Sequence, residues 1–518
     1  VPTPADAPVG PASSLFEQEL LQPLLAQVRR FAAREIDSER IDAEARIPRS
    51  VIASAAELGL FGIAIPSEYG GAGLSMRSVC AVVEELAVHD RSVAIMVGLH
   101  AGLGTRALIE HGSEPLRARL LPEMAAGERV GAFAVTEPGA GSDLMAVQCS
   151  ARVEGASIVL DGDKSYVTNG GFAGVFTVLA CSPELGGARA HSLVCVERET
   201  PGVQIGAEEH KLGIRGSSTV SVHFDRATVA RSNVLGAGGQ GMREAHRSLA
   251  WGRTVMAAGC VGTARAALLR ANEHCERRRQ FNRPIDAFGA AQAQLARMAS
   301  THYAMESVVR AVGAREGDGA SIDVESMYAK VFCSEGAYAL CDLAVQLHGA
   351  LGFIEPVGVA RLLRDCRITR IFEGANDVLL VRAGVALIAG HKRPTIHVEE
   401  SCAVRALSDA AAQSERLGAT IDAAVAATRR SHGVRAVSHQ LLLQRLARAA
   451  IAHAATVATI ERATRERDLW GCALAAHAVD ELCREGARQL EDAKVADEDE
   501  ARAGALRAAL GRQDERSL

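Results

Sequence analysis

Phe133-Ala134-Val135-Thr136-Glu137-Pro138-Gly139-Ala140-Gly141-Ser142-Asp143 marks the point where the chain changes texture. Before it, Leu20, Leu24, Val28 and Phe31, and later Val82, Leu86 and Val88, recur at helical spacing with one apolar face. After it, from about Gly131 to Leu235, short apolar runs (157–160, 175–179, 192–196) are bounded by Gly, Asp and Pro, and 220–224 alternates apolar with polar, as strands do. Helical periodicity returns from Met242 to about Ile388, in segments long enough for bundle helices. A break follows at Gly390-His391-Lys392-Arg393-Pro394, and the Ala-, Leu- and Arg-rich stretch from Ala403 to Leu510 reads as more helix.

The expected fold is therefore α+β and mainly α. It has an N-terminal helical domain (15–130), a middle β-barrel or sandwich domain (131–237), a C-terminal four-helix bundle (238–392) and an additional helical domain (398–518). Residues 1–14, rich in Pro and Ala, read as a disordered leader rather than a signal or transit peptide.

Bulk properties exclude several classes. A net charge of -5 and a pI near 6.4 lack the basic balance that nucleic-acid binding needs. The 12 cysteines form no C-x-x-C pair, so the reading is free thiols in a reducing compartment, with no metal site. No uninterrupted apolar run reaches the length of a membrane span. These features set the expectation of a cytoplasmic protein of bacterial type.

Four segments bear on chemistry. Gly236-x-Gly238-x-x-Gly241 matches the dinucleotide fingerprint as a string, but no acidic residue follows at the needed distance and no βαβ unit surrounds it; it reads as a turn that starts a helix. In the opening segment, glycines let a ligand approach the backbone, and Thr136 and Ser142 offer hydroxyls to a planar heterocycle; the plain alternative is a hairpin turn with an Asx cap. Lys164-Ser165-Tyr166-Val167-Thr168-Asn169-Gly170-Gly171 puts an aromatic ring and a hydroxyl two residues apart on a strand, hence on one face. Arg370-Ile371-Phe372-Glu373-Gly374-Ala375-Asn376-Asp377 sets one carboxylate among bulky apolar neighbours at a loop-to-helix junction. Partial burial there suits a base that must take a weakly acidic proton, and Gly374 permits close approach; a capping glutamate is the plain alternative.

The order and spacing of these segments, from about residue 15 to 390, resemble the acyl-CoA dehydrogenase family: Thr136 to Asp143 looks like its first signature and Gln346 to Asp365 like its second. The resemblance implies FAD and an acyl-CoA substrate that loses hydrogens from C2 and C3, with Glu373 as the base. It implies that Phe133, Val135, Thr136, Gly141 and Ser142, with Tyr166, Val167 and Thr168, hold the isoalloxazine. Arg278, Arg279 and Gln280 would meet the FAD diphosphate of a neighbouring subunit, where an arginine fork suits phosphate oxygens. Gln346, Leu347, His348, Gly349 and Ala350 would line the same groove, with Phe281, Phe288, Ala375, Asn376 and Asp377 as further cofactor contacts. Ser142, Arg253 and Gly374 would bind substrate. A groove shared between chains implies a homo-oligomer, with an electron-accepting flavoprotein as partner.

Some family members carry the base at the position of Gly252, which leaves Glu373 as the matching carboxylate. Departures from the family pattern are Ala350 for a glycine, Gly289 for a glutamine, Ala375 for a threonine, and Tyr166 for a tryptophan that keeps the aromatic surface. Arg364-Asp365, the Glu373 segment and 439–446 look like the very-long-chain branch, which has an extra C-terminal helical domain and tends to dimers; Gly98 would leave room for a long acyl chain. Between Arg429 and Arg462 six arginines face one glutamate, which suits either a peripheral membrane surface or a solvated basic face. Competing readings are a dehydrogenase or oxidase for carrier-protein thioesters, and a catalytically silent assembly factor of the same fold.

Overall fold

The computed structural model describes residues 11–395 and 405–514. Seven helices come first: α1 (Pro11–Glu35), α2 (Ser38–Glu44), α3 (Arg49–Glu57), α4 (Met76–His89), α5 (Arg91–Leu99), α6 (Arg106–His111) and α7 (Glu114–Ala125). Aspartates start two of them: Asp37 accepts from Arg40 N (3.0 Å) and Asp90 from Val93 N (3.0 Å), each satisfying a donor the helix itself leaves open. Helix α1 begins at Pro11, so residues 11–14, read as leader, are helical; residues 1–10 lie outside the described residues.

The strands are β1 (Val130–Ala134), β2 (Ser150–Glu154), β3 (Ser157–Thr168), β4 (Ala173–Cys181), β5 (His191–Glu197), β6 (Val203–Ile205), β7 (Thr219–Ala230) and β8 (Val234–Leu235), with the single-turn α8 (Pro183–Gly186) between β4 and β5. They form one eight-stranded sheet in the order β6-β7-β3-β2-β4-β5-β8, with β1 parallel to β4. Strands β4 and β5 read as continuous apolar runs because both faces are covered. Phe176, Val178, Val194 and Val196 enter a cluster with Ile158, Leu160, Val222 and Phe224, while Val175, Leu179, Leu193 and Cys195 pack on Leu108, Leu120, Leu121 and Met124. Strand β7 alternates because one of its faces meets solvent.

Next come α9 (Gly241–Arg277), a two-residue ribbon of β9 (Arg279–Gln280) and β10 (Arg283–Pro284), α10 (Gly289–Gly317), α11 (Asp323–His348), α12 (Ala350–Phe353), α13 (Val359–Arg367) and α14 (Asn376–Ala389). Helix α9 is buried along most of its length, and its glycines set how closely it packs: a Cβ on Gly262 would lie 2.0 Å from the Glu84 carbonyl oxygen of α4. The chain ends in α15 (Arg405–His432), α16 (Gln440–Glu466), α17 (Leu469–Ala493) and α18 (Ala496–Asp514).

Two compact units result. One holds 11–286, 312–326 and 337–373; the other holds 287–311, 327–336 and the chain from 374 onward, so α10 and α11 each contribute to both. The region drawn from sequence as a fourth domain thus shares a unit with parts of the third. Gly384 of α14 lets the Leu443 backbone of α16 come so close that a Cβ would sit 2.5 Å from its oxygen, and Arg429 of α15 donates to the Leu387 and Ile388 carbonyls at the end of α14. Tyr303 of α10 packs with Leu407, Ala463, Cys472 and Ala475. Among the described residues one helical stretch, Arg91–His111, is long and apolar enough to cross a membrane, but 83% of its apolar window is buried within the protein, as in a core helix.

Candidate active site

The glycine loop after β1 is held from beneath. Glu137 and Ala140 exchange backbone hydrogen bonds (2.9 and 3.1 Å), closing a tight turn. The Glu137 carboxylate is buried: it takes hydrogen bonds from Gln148 N (2.7 Å) and Cys149 N (2.9 Å) and pairs with Lys164 Nζ (2.7 Å), itself 0% exposed. Lys164 also donates to the Val135 carbonyl (3.1 Å), and Ser165 N donates to Thr136 O (2.8 Å). Burial alone would raise the Glu137 pKa, but Lys164 and the two amides outweigh it, and the carboxyl sits below its ordinary value.

Above that support the loop is open. A Cβ on Gly139 or Gly141 would meet nothing within 4 Å, Ser142 is exposed, and Asp143 caps the following turn through Met145 N (3.1 Å). Tyr166 is exposed and Thr168 half-buried, and the strand reaches Tyr166 through an irregularity. Strand β3 bulges between Lys164 and Val167, and Tyr166 sits at φ +56° with its side chain 66% exposed. Val135 and Val167 turn their side chains into apolar clusters, so what they offer a ligand is backbone.

The second loop is held by its backbone. Glu373 has φ +55° and Gly374 φ +101°. Arg253, buried on α9, donates from Nε to the Glu373 carbonyl (2.9 Å). The Glu373 side chain is half-buried, and its Oε2 is shut off from solvent. In the other unit, buried Lys330 donates to the Gly374 carbonyl (2.8 Å) and to Asn376 Oδ1 (2.6 Å), while Asn376 Nδ2 donates to Ser334 Oγ (3.0 Å) and Glu335 Oε1 (2.7 Å). The Asn376 side chain, expected at a cofactor, is therefore spent on holding this loop. Asp377 is exposed, and its carbonyl accepts from Gln444 (3.0 Å).

A third group gathers at the C-terminal ends of α9 and α11, where His274 and His348 stack with ring centroids 4.2 Å apart. Arg278, Arg279, Gln280 and Phe281 lie exposed on the β9–β10 ribbon, turned by left-handed Phe281 and Asn282. Gln346, Gly349 and Ala350 are exposed, with Leu347 half-buried between them. The His348 ring is buried and bonded through Nδ1 to Ala344 O (2.7 Å), so it is occupied within the protein. Phe288 is half-buried in the other unit.

Gly98 differs from its reading in the sequence, whereas Gly252 agrees with its own. Gly98 does not face open space: a Cβ there would lie 3.1 Å from Val255 and 3.3 Å from Val83, so the glycine serves helix packing rather than a wide acyl pocket. A Cβ on Gly252 would press to 2.7 Å on Leu103, which leaves no room for a carboxylate without movement. Gly236 and Gly239, both at positive φ, turn the chain from β8 into α9, as the turn reading has it. Reasoning from sequence missed Glu137, Lys164 and Lys330. The available signal was a lysine at an inward position of β3 and another amid the apolar stretch of α11. A cluster of His432, His439 and Asp497, with ligand atoms within 4.8 Å of one another, was also not singled out; both imidazoles already contact the carboxylate, at 3.4 and 2.8 Å.

Helices, then a sheet, then helices, with a glutamate loop tied to α9, define a class that the comparisons specify. Residues 18–128, 132–227 and 239–387 match the N-terminal, middle and C-terminal domains of acyl-CoA dehydrogenase. The chain is 37% identical to the mouse very long-chain specific acyl-CoA dehydrogenase, over 72% of this chain and 58% of that protein. It is 34% identical to an acyl-CoA dehydrogenase of Bacillus subtilis, over 70% of this chain and 96% of the relative. The structure of the Bacillus anthracis acyl-CoA dehydrogenase complexed with FAD superimposes with a TM-score of 0.83 at 26% identity, covering 98% of this chain and 92% of that one. This chain belongs to the acyl-CoA dehydrogenase family. It spans less than two thirds of the length of the very-long-chain relatives it matches.

Proposed function

We propose that this chain is an FAD-dependent acyl-CoA dehydrogenase that forms a trans-2-enoyl thioester, with Glu373 removing the α-proton. The observation that carries the reading is the conformation of Glu373, a left-handed residue tied by Arg253 at its carbonyl, because such strain persists where it serves a function.

The residues suit a flat ring system with a diphosphate tail. Tyr166 offers an exposed aromatic face, Gly139 and Gly141 leave open space, and Arg278 presents an exposed guanidinium beside the Gln346–Ala350 turn. In this assignment Phe133, Thr136, Ser142, Tyr166 and Thr168 meet the ring, and Arg278, Gln280, Gln346 and Gly349 meet the phosphates. The chemistry that FAD would supply at this site is a hydride acceptor for the hydrogen leaving C3. Glu373 receives the C2 proton on its carboxylate. Arg253 holds the backbone of Glu373 in place, and Gly374 supplies the left-handed turn that follows it.

A long-chain substrate, a homodimer and an electron-accepting flavoprotein are the finer parts of the proposal, supported by similarity to the very-long-chain enzymes. Gly98 lends no support to chain length. The basic stretch fits a solvated face better than a membrane surface, since Arg429, Arg445 and Arg462 are spent on Leu387 O and Ile388 O, on Asp499, and on Glu306 and Glu466.

Anaerobic titration of purified protein with acyl-CoAs of graded length tests the proposal. The wild type should bleach at flavin wavelengths, and Glu373→Gln should stay yellow while bleaching at least about a hundredfold more slowly. Equal bleaching by the variant refutes the assignment of the base. Rapid oxygen consumption would favour an oxidase, and response only to carrier-protein thioesters would change the substrate.

A further inference from the structure

A cavity of about 480 Å³ opens in the first unit, far from the glutamate loop, where the α1–α2 corner meets the end of α4 and the flanks of α9 and α13. Its wall includes Arg270 and Arg361, with His89, Arg34, Glu35 and Glu39 around them. Arg270 stands seventeen residues beyond Arg253 on α9, roughly 25 Å along the helix axis at 1.5 Å per residue.

Arg361 is only 6% exposed, and among the described residues no hydrogen bond or ion pair reaches it. The residue is largely buried while its unbonded guanidinium keeps surface on the cavity, so the charge is presented to that space. Asp90 and Asp365 feel its charge, but neither bonds to it. Asp90 is committed to Val93 N and Asp365 to Ile214 N, and burial raises both carboxyls, Asp365 to about 7. Arg270 faces the same space with one Nη on the Val357 carbonyl (3.1 Å); burial first, and then the charge of Arg361, lowers its pKa. Two like charges turned toward one void, neither bonded to a carboxylate, match the geometry that takes an oxyanion. Glu35 is paired with Arg34 (3.1 Å), and Glu39 is exposed at the rim.

We infer that this cavity binds a phosphorylated small molecule, its phosphoryl oxygens between Arg270 and Arg361. The volume exceeds that of phosphate alone and falls in the range of small-molecule sites, so an organic moiety has room beside the rim carboxylates. The site is separate from the glutamate loop and does not depend on the activity proposed above.

Calorimetric titration of the flavin-loaded protein with inorganic phosphate and with glycerol 3-phosphate, at ionic strength held constant with potassium chloride, tests it. Both probes should bind, the ester more tightly. Arg361→Gln should weaken binding about tenfold, as loss of a charge-assisted fork does. Glu39→Gln, an exposed change that leaves folding intact, should strengthen binding about threefold by removing a competing carboxylate. A wild-type isotherm matching the chloride control, or unchanged affinity in both variants, overturns the inference.

Discussion

Two glycine loops are each braced by a buried lysine, yet by different means. In the loop of residues 136–143 the lysine meets a charge: Lys164 pairs with Glu137, and the carboxylate spreads that bond onto two backbone amides. In the loop of residues 373–376 the brace reaches backbone and amide oxygens, with Lys330 on Gly374 O and Asn376 and with Arg253 on Glu373 O. The first arrangement answers strongly to loss of either charge and to acid. The second acts on the backbone oxygens of residues 373 and 374 and on the Asn376 side chain, with no buried carboxylate paired to its lysine.

The largest test of this contrast removes Lys164. Lys164→Met leaves Glu137 buried without its counter-charge and should cost about 3–5 kcal/mol in denaturant unfolding; the double change with Glu137→Leu should recover much of it. Recovery of nothing would mean that the amides, not the ion pair, hold the loop. Lys330→Met should cost roughly 1.5–3 kcal/mol, since hydrogen bonds from a charged donor are lost while the acceptors stay neutral. A cost equal to that of Lys164→Met erases the distinction between the loops.

Gly374→Ala comes next, at about 1–2 kcal/mol. At φ +101° a side chain is strained, and its Cβ would lie 3.0 Å from Leu379. Thermal unfolding reads the stability, and acyl-CoA bleaching should fall further than stability does if the turn aims Glu373.

The last test is in pH. The Glu137 pKa is lowered in the folded protein, so its contribution is full above the unfolded value of about 4.3 and is lost as pH falls through the folded value. Asp365 has the opposite sign: burial raises it to about 7, so its contribution is full below about 3.9 and is lost as pH rises through 7. Chemical denaturation at several pH values should show Glu137→Gln flattening the acid side and Asp365→Asn the neutral side. The reverse pattern would undo the account of both groups.

The change from period 3.6 to short apolar runs near Val130 was legible because each run reports which faces its element buries, and doubly covered β4 and β5 announced themselves by lacking alternation. The glutamate loop was legible through its motif. Its brace was not, since Arg253 and Glu373 lie 120 residues apart and Lys330 is bonded to a backbone oxygen that carries no sequence signal. The bulge at Tyr166 was hidden for a related reason: a register shift belongs to a pair of strands, and a single strand does not display it. Gly98 misled because a glycine can open a pocket or close a helix contact, and only its neighbours tell which.

His100 has a consequence of its own. Its Nδ1 accepts from Gly131 N (2.9 Å), joining the turn after α5 to the first strand, and burial lowers its pKa to about 4. One tautomer is thereby fixed, with the proton on the far nitrogen. Across the range in which most imidazoles respond, this seam neither gains nor sheds charge, so mild acidification passes through the junction without loosening it.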